Sequence, residues 1–248
     1  MKLSIITATF NSAATVRDTL ESVRMQDYPE VEHLIVDGLS SDNTLEIVKE
    51  YPHVSRVISE KDKGIYDAMN KGIAASTGEI VGILNSDDMY ADETVLSAIM
   101  QIFQDETIDA CYADLQYVKF DDTSVVTRTW ISGQHGPRSF YYGWMPPHPT
   151  FFVRKRVYDQ IGTFTLELKS AADYELMLRA FVKHKLKIAY LPKVIVKMRA
   201  GGMSNASLKN RLRANREDRM AWKMNGLNPW IFTTWLKPLR KITQFFLR

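Results

Sequence analysis

The chain has 248 residues, of which 45% are hydrophobic and 25% charged, a composition typical of an α/β protein with one large core. The single cysteine, Cys111, excludes an intrachain disulfide. The net charge of +3 is uneven, because residues 207–248 hold ten Lys and Arg against two acidic residues and carry +8, whereas the rest carries −5. No stretch approaches the roughly 20 apolar residues of a membrane-spanning helix, so we expect a cytoplasmic protein that meets a membrane only from the side.

Short β-branched runs alternate with helical patterns through the first hundred residues. Strands are predicted at residues 3–7, 33–36, 54–58 and 80–84, and helices at residues 16–23, from Thr44 after an Asn43 cap, at residues 68–73 with an end at Gly78, and from near Asp92. Repeated strand–helix units favour a parallel sheet with helices on its faces. The predicted fold class is therefore α/β, with a doubly wound, mostly parallel sheet and flanking helices.

The second half of the chain has a less regular pattern. It contains alternating strands at residues 111–130, a loop rich in Gly, Pro and aromatic residues at 131–148, a helix at 173–184, a strand pair around 191–192 and a polar helix at 208–224. We interpret the loop as facing substrate.

Acidic residues stand at the ends of three predicted strands. Asp37 follows the second strand, Asp62 follows the third, and Asp87 with Asp88 follows the fourth. Ligands of open α/β sheets bind where the carboxyl ends of the strands meet. These carboxylates are therefore predicted to line a ligand site.

Two of these motifs have a structural alternative. Asp37 precedes Gly38 in a tight turn, where a carboxylate can accept hydrogen bonds from a base or ribose, or can merely organise the turn. The adjacent carboxylates of Asp87 and Asp88 suit a hard cation, Mg²⁺ or Mn²⁺, whose shell is often shared with substrate phosphates. Alternatively, one of the two caps the helix predicted near Asp92.

Two other classes of function lack their sequence signatures. Nicotinamide and nucleoside-triphosphate enzymes on a doubly wound sheet need a glycine-rich loop after the first strand, and residues 7–12 contain no glycine. Nucleic-acid binding would rest only on the basic helix at residues 209–223, which has no accompanying recognition motif. We therefore expect no nucleic-acid partner.

Four motifs together resemble those of family-2 glycosyltransferases with a GT-A fold. They are SIITATFN at residues 4–11, VDG at 36–38, DKGIYDAMNKG at 62–72 and LNSDD at 84–88, and their order and spacing match as well. The resemblance covers residues 3–200 and extends to bacterial enzymes that assemble capsule, exopolysaccharide or O-antigen. It implies a catalytic domain with two halves and a basic, aromatic-rich helical extension. Their bounds are 1–205 for the domain, 1–110 for the nucleotide-binding half, 111–205 for the acceptor-binding half and 206–248 for the extension.

The resemblance also assigns residues to the donor site. Thr7 and Ala8 would line the nucleotide cleft, and Asp37 would contact the uracil or ribose side of the nucleotide. Asp62 and Lys63 would border the same pocket.

The metal site follows from the same resemblance. Asp87 and Asp88 fall on the family's metal-binding acidic motif, which implies Mg²⁺ or Mn²⁺ as cofactor. Asn85 stands where many relatives carry another Asp. We therefore expect metal binding that is weaker rather than absent.

Residues 172–179, with the sequence ADYELMLR, resemble the family's catalytic-base motif and place Asp173 at the base position. Such a base removes the proton of the acceptor hydroxyl as its oxygen attacks the anomeric carbon, while the metal stabilises the departing diphosphate. A single displacement inverts the anomeric configuration. The alternative is that Asp173 only caps its helix.

Residues 144–152 resemble the family's acceptor-side loop and strand. Trp144 is predicted to stack on a sugar face and His148 to contact the acceptor, although an isolated His is more often structural. Arg199 and the two glycines after Ala200 stand where many relatives carry a His that binds metal or phosphate. They form either a loop that closes over the diphosphate, with Arg199 supplying charge, or a plain turn.

The last segment, residues 230–248, mixes aromatic and aliphatic side chains with basic ones and contains no acidic residue. Such a composition suits a helix at a membrane surface, and Pro238 would split it into two short helices. We favour peripheral contact with the inner face of the cell membrane, where a lipid-linked acceptor would lie. The alternative is that these aromatic residues pack back onto the catalytic domain.

These features predict an inverting glycosyltransferase. It would move one sugar from a nucleoside-diphosphate sugar, UDP-linked by family resemblance, to a hydroxyl of a glycan or lipid-linked glycan in cell-surface polysaccharide biosynthesis. The alternative is a non-catalytic relative that binds sugar nucleotides. Such a protein would need Asp37 but not Asp173 together with Asp87 and Asp88.

Overall fold

The computed structural model describes residues 1–201, 208–233 and 236–237 of the chain. Its central feature is one nine-stranded sheet with helices packed against it. The strands are β1 (Leu3–Thr9), β2 (Val31–Asp37), β3 (Val54–Ser59), β4 (Ile80–Ile83), β5 (Asp88–Tyr90), β6 (Ala110–Val118), β7 (Val126–Trp130), β8 (Phe152–Arg154) and β9 (Ile188–Arg199).

The sheet has a parallel half and a mixed half. Its order is β3-β2-β1-β4-β8-β6-β9-β5, with β7 paired to β6. The first four strands are mutually parallel, which brings their carboxyl ends to one edge. Strand β8 is antiparallel to both β4 and β6, whereas β9 is parallel to β6 and antiparallel to β5. The predicted α/β class with a parallel core and flanking helices is confirmed.

The helices are α1 (Val16–Arg24), α2 (Thr44–Lys49), α3 (Ile65–Ala75), α4 (Val95–Ile102), α5 (Lys155–Ile161), α6 (Ala172–Leu178) and α7 (Leu208–Met224), with α6 continuing as a π-helical turn over Arg179–Lys183. Helix α3 packs unusually close to β1. A Cβ atom added to Gly72 would lie 2.3 Å from Ile6 Cγ2, so only glycine allows this approach. This packing sets the position of the first turn of α3, which reaches the site described below.

Two predicted elements differ from the structure. The strand pair expected near residues 191–192 is the single strand β9, because its register against β6 shifts after Leu191 and accommodates Pro192, which has no N–H to donate. Helix α3 ends at Ala75 rather than at Gly78. Instead, Gly78 allows a close approach to β1, because a Cβ there would lie 2.6 Å from the Ser4 backbone nitrogen.

The described part of residues 206–248 packs on the same core as the rest. Trp222 of α7 is fully buried and its indole N–H donates to the Tyr174 hydroxyl at 2.9 Å. Glu217 accepts hydrogen bonds from the backbone N–H and the hydroxyl of Ser170. Helix α7 is thus attached to α6 by buried polar contacts as well as apolar packing. Within the described residues, every helix is too short or too polar to cross a bilayer.

Candidate functional site

The ends of three parallel strands meet at Asp37. The register pairs Thr9 of β1 and Ser59 of β3 with Asp37 of β2. Both hydroxyls donate to its fully buried carboxylate, at 3.0 and 2.8 Å, and Ser40 adds a backbone N–H at 3.0 Å and its own hydroxyl. Burial alone would raise the pKa of Asp37, but these hydrogen bonds outweigh it and lower the pKa. Asp37 is therefore ionised and does organise its turn, while its contact with a nucleotide stays a prediction.

The predicted donor-site residues lie around this turn. A Cβ added to Gly38 would lie 2.4 Å from Asp62 Oδ2 and 3.3 Å from Phe10 Cδ2, so the loops that follow β1, β2 and β3 touch here. Asp62 accepts a hydrogen bond from the Gly64 backbone N–H at 2.8 Å, and Lys63 is exposed beside it. These residues form one continuous surface at the carboxyl edge of the parallel strands.

Thr7 and Ala8 lie beneath that surface rather than on it. Both are buried, and the Thr7 hydroxyl is 3.0 Å from Nε2 of the buried His33. Phe10, which the sequence analysis did not single out, is 64% exposed at the same edge. The sequence signal is weak, because an aromatic residue after a strand is more often part of the core.

Residues 84–88, which follow β4 and which we name the acidic loop, carry two carboxylates. Asp88 is buried and Asp87 is half-buried. Asp88 is fully buried, accepts a hydrogen bond from Asn85 Nδ2 at 2.8 Å, and has no partner for its Oδ1 atom. The Oδ1 atom of Asn85 is buried without a partner as well. Burial, and then the neighbouring charge of Asp87, raise the pKa of Asp88 well above its usual range. Without a cation nearby, the ionised form of Asp88 is therefore disfavoured.

Neither Asp87 nor Asp88 caps the following helix. Residues 88–90 form β5, helix α4 begins at Val95, and Asp92 binds the Thr94 backbone N–H at 2.9 Å. The helix starts later than predicted because these residues pair with β9 instead. The pair of carboxylates is left available for another role.

A cation fits this loop only with help from a substrate. Among the described residues, no group of three or more His, Cys, Asp or Glu side chains could hold a metal ion. Asp87 together with the unpartnered Oδ1 of Asp88 would supply two hard oxygen ligands, and substrate phosphates or waters would fill the remaining positions. The residues present thus fit an Mg²⁺ or Mn²⁺ ion that is shared with an anionic substrate.

Arg199 fixes the acidic loop in place. Its guanidinium donates to the Asp87 carbonyl at 2.9 Å and to the Phe120 carbonyl at 3.2 Å, and it forms an ion pair with Asp18. The residue is only 5% exposed. Its charge is therefore committed to the protein rather than free for a diphosphate, and the described part of the following turn ends at Gly201.

Asp173 faces the acidic loop from the other half of the sheet. It is the second residue of α6, whose N-cap is Ala171, so its carboxylate does not occupy the capping position. The Tyr66 hydroxyl donates to Asp173 Oδ1 at 3.1 Å, and His148 Nδ1 lies 3.4 Å from Oδ2. Tyr66, on α3, is a site residue that the sequence analysis missed, because nothing in its helical pattern distinguishes it from a packing residue.

His148 connects the two carboxylate sites. Its Nε2 atom lies 3.3 Å from Asn85 Nδ2, and that amide also binds Asp88. Asp88, Asn85, His148, Asp173 and Tyr66 thus form one continuous line of polar contacts, which we name the polar row. The structure brings a predicted metal residue, a predicted acceptor residue and the predicted base together in it.

Trp144 lies apart from the polar row. It is 5% exposed, its indole N–H donates to the Ser132 carbonyl at 3.0 Å, and its ring packs edge-on against Tyr112 and Phe140. In this position the ring fills the core. The same holds for much of the 131–148 loop, of which His148 reaches the site.

The segment after α7 is anchored and partly exposed at the same time. Trp230 packs on Tyr142 with ring centroids 4.9 Å apart, and the Thr233 hydroxyl binds the Tyr141 carbonyl. Ile231 and Phe232 are 84% and 68% exposed. The rest of the predicted membrane segment, residues 234–235 and 238–248, lies outside the described residues.

Comparison with known proteins identifies the family of the chain. The model of the family "Glycosyl transferase family 2" matches residues 4–171. The chain is 29% identical over 212 residues to a PGL/p-HBAD biosynthesis glycosyltransferase of Mycobacterium tuberculosis, a match that covers 82% of this chain and 78% of the relative. Another glycosyltransferase of the same species is 30% identical over 181 residues, 72% of this chain and 68% of that protein.

Solved structures share the fold. Staphylococcus aureus TarS 1-349 in complex with UDP-GlcNAc superposes with a TM-score of 0.70 at 23% identity, over 91% of this chain and 65% of that one. The chain spans 39% of the longer TarS structure. The mannosyltransferase PcManGT from Pyrobaculum calidifontis, in complex with GDP-Man and Mn²⁺, gives 0.66 at 19% identity, over 95% of this chain and 68% of that one. Because the family model matches more than half of its length, the chain belongs to glycosyl transferase family 2, with the GT-A architecture.

Proposed function

We propose that this glycosyltransferase moves one sugar from a UDP-linked donor to a hydroxyl of a glycan or lipid-linked glycan, with inversion at the anomeric carbon. One observation carries the proposal. The carboxylate of Asp173 and Asp88 of the acidic loop belong to the same polar row, in which His148 and Asn85 lie between them. A base and a site for the leaving diphosphate thus face the same space.

The nucleotide would bind at the carboxyl edge of β1, β2 and β3. Thr9 at the end of β1, Ser59 at the end of β3 and Ser40 in the turn itself donate hydrogen bonds to the ionised Asp37. The turn is therefore rigid without a ligand. The exposed ring of Phe10 beside Gly38 offers a stacking face to a base, and Asp62 with Lys63 borders the same surface. The UDP-GlcNAc and GDP-Man bound by the two structural relatives support a sugar nucleotide as donor.

Asp87 and Asp88 would hold the Mg²⁺ or Mn²⁺ ion. When bound, the ion neutralises charge that develops on the departing diphosphate. A bound cation would favour the ionised form of Asp88, and Arg199 keeps the loop in place through the Asp87 carbonyl. The Asn85 Nδ2 group holds the Asp88 carboxylate in its orientation.

Asp173 would act as the base. Its carboxylate takes the proton from the acceptor hydroxyl while that oxygen forms a bond to the anomeric carbon and the bond from this carbon to the diphosphate oxygen breaks. Attack opposite the leaving group in a single displacement inverts the configuration. His148, half-buried between the two carboxylate sites, would lie against the acceptor. Trp144 is not part of the acceptor site that we propose.

The acceptor would be presented at a membrane surface in the assembly of a cell-surface polysaccharide. Trp230, Ile231 and Phe232 expose apolar side chains next to the basic C-terminal region, which carries +8 over residues 207–248. Apolar side chains beside basic ones bind at the interface of anionic lipids. This combination supports peripheral contact with the inner face of the cell membrane.

Replacement of Asp173 with Asn tests the proposal. We expect acceptor-dependent UDP release to fall at least about 100-fold, because the amide cannot take the proton, while UDP affinity stays unchanged. The assay uses purified protein, Mn²⁺, a set of UDP-hexoses and UDP-N-acetylhexosamines, and an extract of lipid-linked glycans. Near-normal turnover by D173N would refute the assignment of the base. UDP binding without turnover by the unmodified protein would favour a non-catalytic sugar-nucleotide-binding protein.

A further inference from the structure

The ring of Tyr66 is packed in a fixed position independently of its hydroxyl. It is the second residue of α3, and its ring stacks on Phe164 with centroids 5.6 Å apart and an angle of 27° between the planes. Asn70, one turn further along α3, binds both the N–H and the carbonyl of Phe164, at 2.9 and 2.8 Å. The ring would therefore stay in place if its hydroxyl were removed.

The Tyr66 hydroxyl can only donate to Asp173. Burial, followed by the nearby charge of Asp173, raises the pKa of Tyr66 well above its ordinary value, so the hydroxyl keeps its proton. An ionised carboxylate has only acceptor atoms. The contact of 3.1 Å between Tyr66 Oη and Asp173 Oδ1 is thus a hydrogen bond with a defined direction.

A second donor faces the other carboxylate oxygen. The amide nitrogen Nδ2 of Asn85 can only donate hydrogen bonds. It donates one to Asp88 Oδ2 and lies 3.3 Å from His148 Nε2. Nε2 must accept there, so in the neutral ring the proton sits on Nδ1. Nδ1 lies 3.4 Å from Asp173 Oδ2. Asn85 therefore selects the His148 tautomer whose Nδ1 proton faces Asp173.

We infer that Tyr66 is a positioning residue that holds the Asp173 carboxylate in one orientation through its hydrogen bond to Oδ1, while Nδ1 of His148 faces Oδ2 at 3.4 Å. The inference rests on the proposed role of Asp173 as base. Each oxygen keeps a lone pair for the acceptor hydroxyl, and the hydrogen bond from Tyr66 limits rotation of the carboxylate. Because α3 begins beside the Asp62 loop, Tyr66 also ties the donor-binding half of the protein to the base.

The test is Tyr66→Phe, which keeps the ring and its stacking on Phe164. We expect kcat to fall about tenfold with KM for the UDP-sugar unchanged, since orientation matters in the transition state and not in donor binding. Tyr66→Leu, which removes the ring as well, should lower kcat further, and phenylalanine should therefore retain more activity than leucine. Tyr158→Phe, on α5 and outside the polar row, is the matched control and should leave kcat and KM unchanged.

A double-mutant cycle gives a readout that needs no substrate. The free energy of unfolding is measured for the unmodified protein, Y66F, D173N and the double variant. Tyr66 and Asp173 should be coupled, so that the two substitutions are not additive. Additivity, or a Y66F variant with an unmodified kcat, would overturn the inference, while D173N still decides the proposed function separately.

Discussion

At the residue scale, the pKa values of two aspartates at the same edge of the sheet are shifted in opposite directions. Asp37 accepts four hydrogen bonds, and its pKa is lowered, whereas Asp88 accepts one in the described contacts and its pKa is raised by burial. The first carboxylate is satisfied by the protein itself. The second leaves one buried oxygen without a partner, which is the state expected of a group that meets an external ligand.

Asn substitutions at the two positions should therefore have different effects. Asp37→Asn removes an ionised acceptor from four donors and should cost about 2 kcal/mol of unfolding free energy. Asp88→Asn replaces a buried carboxyl group, one oxygen of which has no partner, with an uncharged group of the same shape, so it should leave stability almost unchanged but weaken Mn²⁺-dependent UDP binding at least about tenfold. Urea denaturation and calorimetry measure the two effects. The account of the acidic loop fails if D88N binds UDP and Mn²⁺ like the unmodified protein.

At the element scale, the parallel strands contain a buried histidine that makes their stability depend on pH. His33, in the middle of β2, binds the Thr7 hydroxyl and lies 3.2 Å from His53 Nε2. Burial, and then the charge of His53, lower the pKa of His33 to about 3. The folded protein thus keeps His33 neutral at a pH where the unfolded chain protonates it.

The unfolding free energy should fall as the pH drops from 7 to 5. The unfolded imidazole gains a proton below its ordinary pKa of 6.5, and the folded one does not until about pH 3, so His33 alone should remove about 2 kcal/mol over this range. The His33→Gln variant should lose about 2 kcal/mol less unfolding free energy between pH 7 and pH 5 than the unmodified protein does. The other titrating groups are common to both proteins and cancel in the comparison. Chemical denaturation at pH 7 and pH 5 provides the comparison. Equal losses in the two proteins would contradict the buried neutral state.

The sequence predicts the parallel half of the fold better than the mixed half. Strands β1 to β4 and the helices between them have strong alternating patterns, and residues 208–224 read directly as α7. Strand β9 was predicted as a pair because Pro192 interrupts the pattern, and only the register against β6 shows that a bulge absorbs it. Helix α4 was placed too early because the pairing of β5 with β9 is a long-range contact.

The candidate site, like the fold, can be predicted from the sequence only in part. Asp37, Asp87, Asp88 and Asp173 could be found from motif and position along the chain. The role of Tyr66 and the burial of Trp144 could not, because both depend on packing between segments that are distant in sequence, such as the contact of α3 with α6. The sequence alone does not distinguish an aromatic ring that packs in the core from one that contacts a ligand.

At the scale of the whole molecule, the C-terminal segment is attached to the catalytic core and presents apolar side chains outward. Lys237 forms an ion pair with the buried Asp218 at 2.9 Å and lies over the Tyr174 ring. A Cβ on Gly143 would lie 2.4 Å from the Lys237 backbone nitrogen, so the loop and the segment are in close contact. The exposed Ile231 and Phe232 project from this anchored base.

Serine at both Ile231 and Phe232 tests the membrane surface. The double variant should stay folded, because both side chains are largely exposed, and its co-sedimentation with vesicles that contain anionic lipid should fall about tenfold. Leu166→Ser, which removes a 45% exposed apolar side chain elsewhere, is the control and should bind like the unmodified protein. Equal binding by all three proteins would show that the membrane contact lies elsewhere or does not form.

The central claim is that the carboxyl edge of the parallel strands binds a nucleoside-diphosphate sugar through a shared cation. Calorimetric titration of the protein with UDP and with GDP, each in Mn²⁺ and in EDTA, tests it most directly. The account predicts binding of UDP in Mn²⁺ that weakens at least about tenfold in EDTA, since Asp87 and Asp88 alone cannot complete a metal shell and the diphosphate needs the ion. Absence of binding to either nucleotide in Mn²⁺, or binding that EDTA leaves unchanged, would contradict it.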